Sequence, residues 1–280
     1  MAANSDFPHD PRVLAKTIYD GAKLFWSVAL ALKVLSASLG VYFVLSGTTQ
    51  VSAPWSIVVL AVLSELSQWR SDILKGRAEQ LKRKIEFHDG LGWPLSPADI
   101  SDYLARLSKA RRQAIEVAIR ENYFASTKDK SPGRAVENLQ ESSWWSKHLA
   151  GTMLILCSII VAILVSASLL VLGLAVSATH EIASLENTSR VVSAVLALVV
   201  SFGAIRLLNG YFAFARKSEQ IEEAAKTLTS GEGTPVESDV IKLIHDYQIA
   251  RAAAPLIPDA LWKAKRDGLN LLWDQYRRGS

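Results

Sequence analysis

Two clusters of cations carry the clearest chemistry in this chain. One is Lys82-Arg83-Lys84; the other is Lys109-Ala110-Arg111-Arg112, followed at helical spacing by Arg120 and then by Tyr123-Phe124. Cations in such a row neutralise the charges of a phosphate group, and an aromatic ring beyond them offers a face on which a base can stack. Lys109, Arg111, Arg112, Arg120 and Tyr123 are therefore candidates for a phosphate-bearing ligand, with a solvated basic helix face as the plainer alternative. Lys82 and Arg83 join them, although their nearness to an apolar segment also suits anionic headgroups, at about 1 kcal/mol per charge. Residues 70–148 carry fifteen Lys and Arg against eleven Asp and Glu, a balance that suits a local pocket and disfavours broad duplex binding.

Signatures of catalysis are missing. There is no Gly-rich phosphate loop, no metal-spaced set of His and Cys and no Gly-x-Ser-x-Gly, and His9, His88, His148, His180 and His245 are scattered. Carboxylate pairs such as Glu222-Glu223 lie among lysines, as on a solvated helix face. Cys157 is the only cysteine, which excludes a disulfide within the chain. The expectation is a protein that is not an enzyme and takes no cofactor, with acyl transfer or hydrolysis as a remainder.

The elements that position these residues begin with a hydrophobic run. Leu149 to Thr179 contains no Asp, Glu, Lys or Arg, whereas a surface helix keeps a polar face and a bilayer core asks for about 20 apolar residues. Leu24–Leu45, Val51–Leu66 and Val191–Ala215 are weaker stretches of the same kind, the last broken by Arg206. Met1 to Arg12 is polar, with Asp6, Pro8, Asp10 and Pro11, and reads as a short mobile tail and not as a secretory leader. Cations crowd the segment between the second and third stretches and are nearly absent from the two short connections, Ser46–Ala53 and His180–Arg190. The positive-inside rule then puts both termini and the long insertion in the cytoplasm. Trp26, Tyr42, Trp55, Trp69, Trp144, Trp145 and Tyr211 fall near span ends, where amphipathic rings settle at headgroup level.

The expected fold is an all-α membrane protein with four transmembrane helices and a helical cytoplasmic domain. Residues 1–20 form the tail, 21–69 the first two spans, 70–148 a helical sensor insertion, 149–215 spans three and four, and 216–280 C-terminal helices. Helical spacing continues past Leu66 through Ile73, Leu74, Leu81 and Ile85, so the second span extends as a stalk until the break at Asp89-Gly90-Leu91-Gly92-Trp93-Pro94. Ser96-Pro97 starts the next helix, which Ile100, Leu104, Leu107, Ile115 and Ile119 carry onward. Further helices are expected at Ala135–Trp145, Ser218–Leu228, Val240–Ala252 and Trp262–Tyr276.

Ionisable groups inside spans are costly and face protein or water. Lys33 lies fourteen residues before Gly47 and Glu65 fourteen after Val51, so each is about 21 Å along its helix and a hairpin lets them pair. Pore lining is the alternative for this pair. Arg206 is placed to snorkel at the inner interface or to set charge at a pore mouth. Ser158, Ser166 and Ser201 recur with small residues on one face of their helices, as close packing or a weakly polar pore wall requires.

Glu137-Asn138-Leu139-Gln140-Glu141-Ser142-Ser143-Trp144-Trp145-Ser146-Lys147-His148-Leu149, and Tyr247-Gln248-Ile249-Ala250-Arg251 through Pro255-Leu256-Ile257-Pro258-Asp259, resemble the SMODS-associated four-transmembrane effectors of bacterial antiphage operons. The layout is similar over nearly the whole chain, and one branch, the channel component of Hailong-type systems, looks alike. The resemblance implies a homo-oligomeric pore in the bacterial inner membrane, a tetramer as the first expectation. It also implies a gating nucleotide or short single-stranded DNA oligomer made by an operon-encoded nucleotidyltransferase, with opening that depolarises the membrane and kills the cell. A non-conducting membrane scaffold that recruits a cytoplasmic partner is the reading from a different class.

Overall fold

Helical periodicity governs this sequence, and the computed structural model, which describes residues 10–46, 52–117, 124–178, 203–231 and 233–279, contains no strand among them. The described residues form eight helices in order: α1 (Pro11–Ser46), α2 (Ser52–Leu91), α3 (Pro97–Ala105), α4 (Lys109–Val117), α5 (Pro132–Ala178), α6 (Ala204–Ser230), α7 (Glu237–Ala253) and α8 (Asp259–Gly279). They divide into a first compact unit, Met1–Lys23 with Asp72–Ala150 and Ala213–Ser280, and a second, Leu24–Ser71 with Gly151–Phe212. Composition places boundaries at 20/21, 69/70, 148/149 and 215/216; the compact units change at 23/24, 71/72, 150/151 and 212/213.

In the first unit, residues from Pro11 onward are helix and not tail. Asp10 Oδ1 accepts the Arg12 N–H at 2.8 Å, and Pro11 occupies the first helical position, where its missing N–H costs nothing. Leu14, Ala15 and Ile18 of α1 pack with Ala78, Leu81 and Ile85 of α2, Leu95, Ile100 of α3 and Ile115 of α4. Gly92, with φ of 79°, ends α2 in the left-handed region that glycine enters without a Cβ clash. Phe87 then stacks on Trp93 with ring centroids 4.8 Å apart. The helix expected to run on from Ser96-Pro97 breaks at Arg106–Ser108 into α3 and α4. Ser96 stands at the N-cap position but its hydroxyl makes no capping bond.

A second cluster joins α5 to α8 through Trp144, Leu149, Leu269 and Trp273, with Trp145, Trp262 and Tyr276 against it. Trp144 is thus a core residue and not a headgroup anchor, as is Tyr211, which is fully covered; Trp55 and Trp69 are exposed. Where α5 crosses α2, a Cβ added to Gly90 would meet Ala135 Cβ at 2.8 Å and Ala135 Cα at 3.0 Å.

The second unit is built differently. Its parts of α1 and α2 form an antiparallel hairpin in which the Ser64 hydroxyl donates to Ala29 O at 3.0 Å. Its side chains point outward: Val34, Leu35, Val58, Val59, Val62 and Leu63 are exposed on the hairpin, and Ile155, Ile159, Ile160, Ile163, Leu169 and Leu170 on α5. Water does not tolerate an apolar surface of that extent. Among the described residues two helices are long and apolar enough to cross a membrane, over Pro11–Gly40 and Pro132–Ser166, with mean hydropathies of 1.5 and 2.6. Only 11% and 17% of their most apolar windows are buried, which separates them from the core helices of a soluble domain. These hold most of the Leu24–Leu45 and Leu149–Thr179 stretches; the Val51–Leu66 stretch opens α2, and Val191–Ala215 lies outside the described residues up to position 202.

Gly90→Ala is expected to destabilise the first unit by about 1–3 kcal/mol, because the added methyl has Ala135 backbone in its way. Thermal unfolding in detergent measures it, with Gly76→Ala, which meets nothing within 4 Å, as the control.

Candidate functional site

The α2 stalk carries Glu79 and Glu86, two turns apart on one face. Both reach a single guanidinium, Arg251 of α7. Arg251 Nε donates to Glu79 Oε2 at 2.9 Å, Nη1 donates to Glu86 Oε1, and Nη2 donates to Glu86 Oε2 at 3.3 Å. Gln248 Nε2 donates to the same Glu86 oxygen at 3.0 Å, and the Tyr19 hydroxyl of α1 donates to Glu79 Oε1. Lys75, one turn before Glu79, donates its ammonium to Ala252 O at 2.7 Å and to Ala254 O, satisfying carbonyls at the end of α7.

The electrostatics follow from this crowding. Burial alone would raise the Glu79 carboxyl, but Arg251 and then Lys82 outweigh it, with hydrogen bonds from Tyr19 and Arg251, and hold it below its ordinary value. Burial likewise opposes the charge on Arg251, and Glu86 and Glu79 more than restore it, so the guanidinium stays protonated at any ordinary pH. Lys75 is pushed down by burial, against the pull of Glu79 and Asp72.

This hub forms one wall of a cleft of about 510 Å³ inside the first unit, within the range of small-molecule sites. Arg12, Lys16, Tyr19 and Lys23 enter from α1, Lys82 and Glu86 from α2, Trp145 and Ser146 from α5, and Tyr247 and Arg251 from α7. The stretch from Pro255 to Ile257, with Trp262 and Arg266 of α8, completes it. Cations lie over rings on these walls, Arg251 at 5.2 Å from the Tyr247 centroid and Arg266 at 5.5 Å from that of Trp262. Arg12 is held in a fork by Asp89 at 2.9 and 2.8 Å. Lys16 pairs with Asp20, and Lys23 with Asp259. These partly exposed pairs hold by about 0–1 kcal/mol and yield to a stronger anion. Among the described residues no group of three His, Cys, Asp or Glu is disposed to hold a metal.

Of the cationic candidates from the sequence, Lys82 lines this cleft; Arg83 is half-buried beside it and does not. Lys109, Arg111 and Arg112 are exposed on α4, away from the cleft, because α4 turns Ile115 into the core and its opposite face outward. Arg120 and Tyr123 lie outside the described residues, as does Ser201. In the second unit Lys33 Nζ lies 3.2 Å from Glu65 Oε1, while Ser158 and Ser166 of α5 and Arg206 of α6 are exposed. Arg12, Lys16, Lys23, Arg251 and Arg266 were not legible as cleft residues. One signal was present: Gln248 and Arg251 continue the buried stripe Val240, Ile244, Tyr247, and polar residues on such a stripe must find polar partners.

The two stretches that carry the family resemblance meet in this cleft. Tyr247 donates its hydroxyl to Ser142 O at 3.1 Å and receives that of Ser146 at 2.7 Å. No family model matches the chain, and no curated protein and no solved structure matches it either.

Arg251→Met leaves the buried Glu79 and the partly buried Glu86 without their cation and is expected to cost about 3–5 kcal/mol, read as the loss of unfolding free energy in detergent. Glu79 has a folded-state value depressed below 4.5, so its contribution is complete above that pH and is lost as pH falls through the folded value. Acid unfolding of Glu79→Gln should accordingly be less steep than that of the parent chain below pH 4.5.

Proposed function

We propose that this chain is a homo-oligomeric membrane channel gated by a nucleotide or short oligonucleotide bound in the cleft of its helical unit. The observation that carries the reading is one of chain continuity: α1, α2 and α5, whose side chains wall the cleft, run without a break into the apolar unit. A ligand that repositions Tyr19, Lys82 or Trp145 therefore acts on helices that continue into the bilayer. Cations beside aromatic rings suit a phosphorylated ligand with a planar base. In this reading the fourth span comprises residues of the Val191–Ala215 stretch, both termini are cytoplasmic, and the protein sits in the bacterial inner membrane. The role in antiphage defence, the tetramer and a partner nucleotidyltransferase rest on the resemblance of Glu137–Leu149 and Tyr247–Asp259.

A ligand moves such a gate only by its difference in affinity for the two states, and a swing from 1:99 to 99:1 needs about 5.5 kcal/mol. Contacts repeated in every subunit supply that bias. The scaffold reading has one observation in its favour: Ile155, Leu156, Ile159, Ile160, Ile163, Leu169 and Leu170 are all exposed on α5, an apolar surface beside which Ser158 and Ser166 offer little polarity.

Single-channel recording from the purified full chain in planar bilayers is the test. Nucleotide-dependent conductance steps are expected, and Lys82→Glu should raise the half-effective nucleotide concentration about tenfold, near 1.4 kcal/mol of lost binding. A bilayer that stays silent with and without nucleotides refutes the channel and leaves the scaffold.

A further inference from the structure

The two carboxylates on Arg251 are not equivalent. Glu79 is 3% exposed at its side chain and is also bound by Tyr19; it belongs to the core. Glu86 is 13% exposed, lines the cleft, and rests in a fork of Arg251 with the Gln248 amide as a third donor. Three donors converging on two oxygens are the arrangement that planar recognition of carboxylate or phosphate calls for. Beside Glu86 a recess of about 20 Å³ opens, lined also by Phe124, Ser142 and Tyr247 of the cleft wall, and at its side lies Asn138. Asn138 is 6% exposed, and neither its Nδ2 nor its Oδ1 has a hydrogen-bond partner among the described residues. An orphaned buried amide costs about 1–3 kcal/mol, and the recess has room for one water-sized group.

We infer that Glu86 occupies, as an internal placeholder, an oxyanion subsite of the cleft formed by Arg251, Gln248 and Asn138, from which the phosphate or carboxylate of a ligand displaces it. The inference rests on the ligand-binding half of the proposed function and names the group that sets its affinity. When an oxyanion takes the fork, one oxygen reaches the recess and gives Asn138 Nδ2 its missing acceptor. The freed Glu86 turns into the cleft, and α7 remains on α2 through Glu79 and Lys75 alone. Glu86 thus keeps the subsite filled, and with it the hub balanced, until a competing anion arrives.

The sign of its removal separates this role from a structural one. Calorimetric titration of inorganic pyrophosphate into the detergent-solubilised full chain should give an affinity at least tenfold higher for Glu86→Gln, because the competitor has lost its charge. Asn138→Leu should bind pyrophosphate severalfold more weakly while melting no lower than the parent chain, since it removes both orphaned atoms. Glu86→Ala serves as a second variant should Glu86→Gln fail to fold. Pyrophosphate affinity unchanged or lower in the Glu86 variants, or absent from all forms, overturns the subsite. A nucleoside diphosphate and a short-chain phosphatidylglycerol are titrated alongside; whichever gains over pyrophosphate identifies the source of the oxyanion. Tighter pyrophosphate binding by Glu86→Gln in a chain that conducts no current keeps the subsite and refutes only the channel.

Discussion

One guanidinium shared by two carboxylates is the constraint on which the helical unit turns. Arg251 is buried, and a cation of that size leaves water only when fixed anions replace its hydration. Glu79 and Glu86 supply them from one face of α2, and their geometry sets both the height and the rotation of α7 against the stalk. Lys75 fixes the same C-terminal end of α7, where the terminal carbonyls concentrate negative partial charge. A purely apolar contact between α2 and α7 would permit sliding by a turn; a fork on one carboxylate and a single bond to another does not.

The two units answer to opposite solvents. In the helical unit, two clusters draw apolar side chains inward and α4 turns Lys109, Arg111 and Arg112 out; in the other, Val58, Val62, Ile155 and Ile163 turn outward. A single helix such as α5 obeys both rules, changing near Ala150 from a helix packed through Trp144 and Leu149 to one apolar around its exposed side. The mixture of charge and hydrophobicity in the overall composition is therefore an average of two unlike materials. The Lys33–Glu65 contact keeps a pair of opposite charges in the apolar unit, each partner lowering the cost of the other.

Much of the architecture was legible because it rests on local rules. Apolar spacing gave the helices, the Asp89–Pro94 break marked the end of α2, and fourteen-residue offsets put Lys33 opposite Glu65. Asp10-Pro11 is the same start signal as Ser96-Pro97, yet the polar residues around it masked a helix whose apolar side is needed only once α2 lies beside it. The break at Arg106–Ser108 has no glycine or proline to announce it. The cleft was less legible for a physical reason. Sequence draws attention to consecutive cations, whereas consecutive residues on a helix point to different sides; of Lys82, Arg83 and Lys84, Lys82 alone reaches the cleft. Its other cations come from segments far apart, three from α1 and one each from α7 and α8, and only tertiary packing collects them.

That scattering has a consequence for how the protein is made. Glu79 and Arg251 are 172 positions apart, and Trp144 meets Trp273 across a still later stretch of chain. At roughly 5–20 residues per second, the ribosome needs about 9 to 34 seconds after placing Glu79 before it can place Arg251. Before that interval ends, all four apolar stretches of the chain have been made, while the helical unit still lacks the cation at its hub and the indole that closes its second core. Assembly of this unit consequently lags behind its stalk, whose carboxylates must wait for a partner placed 172 positions later.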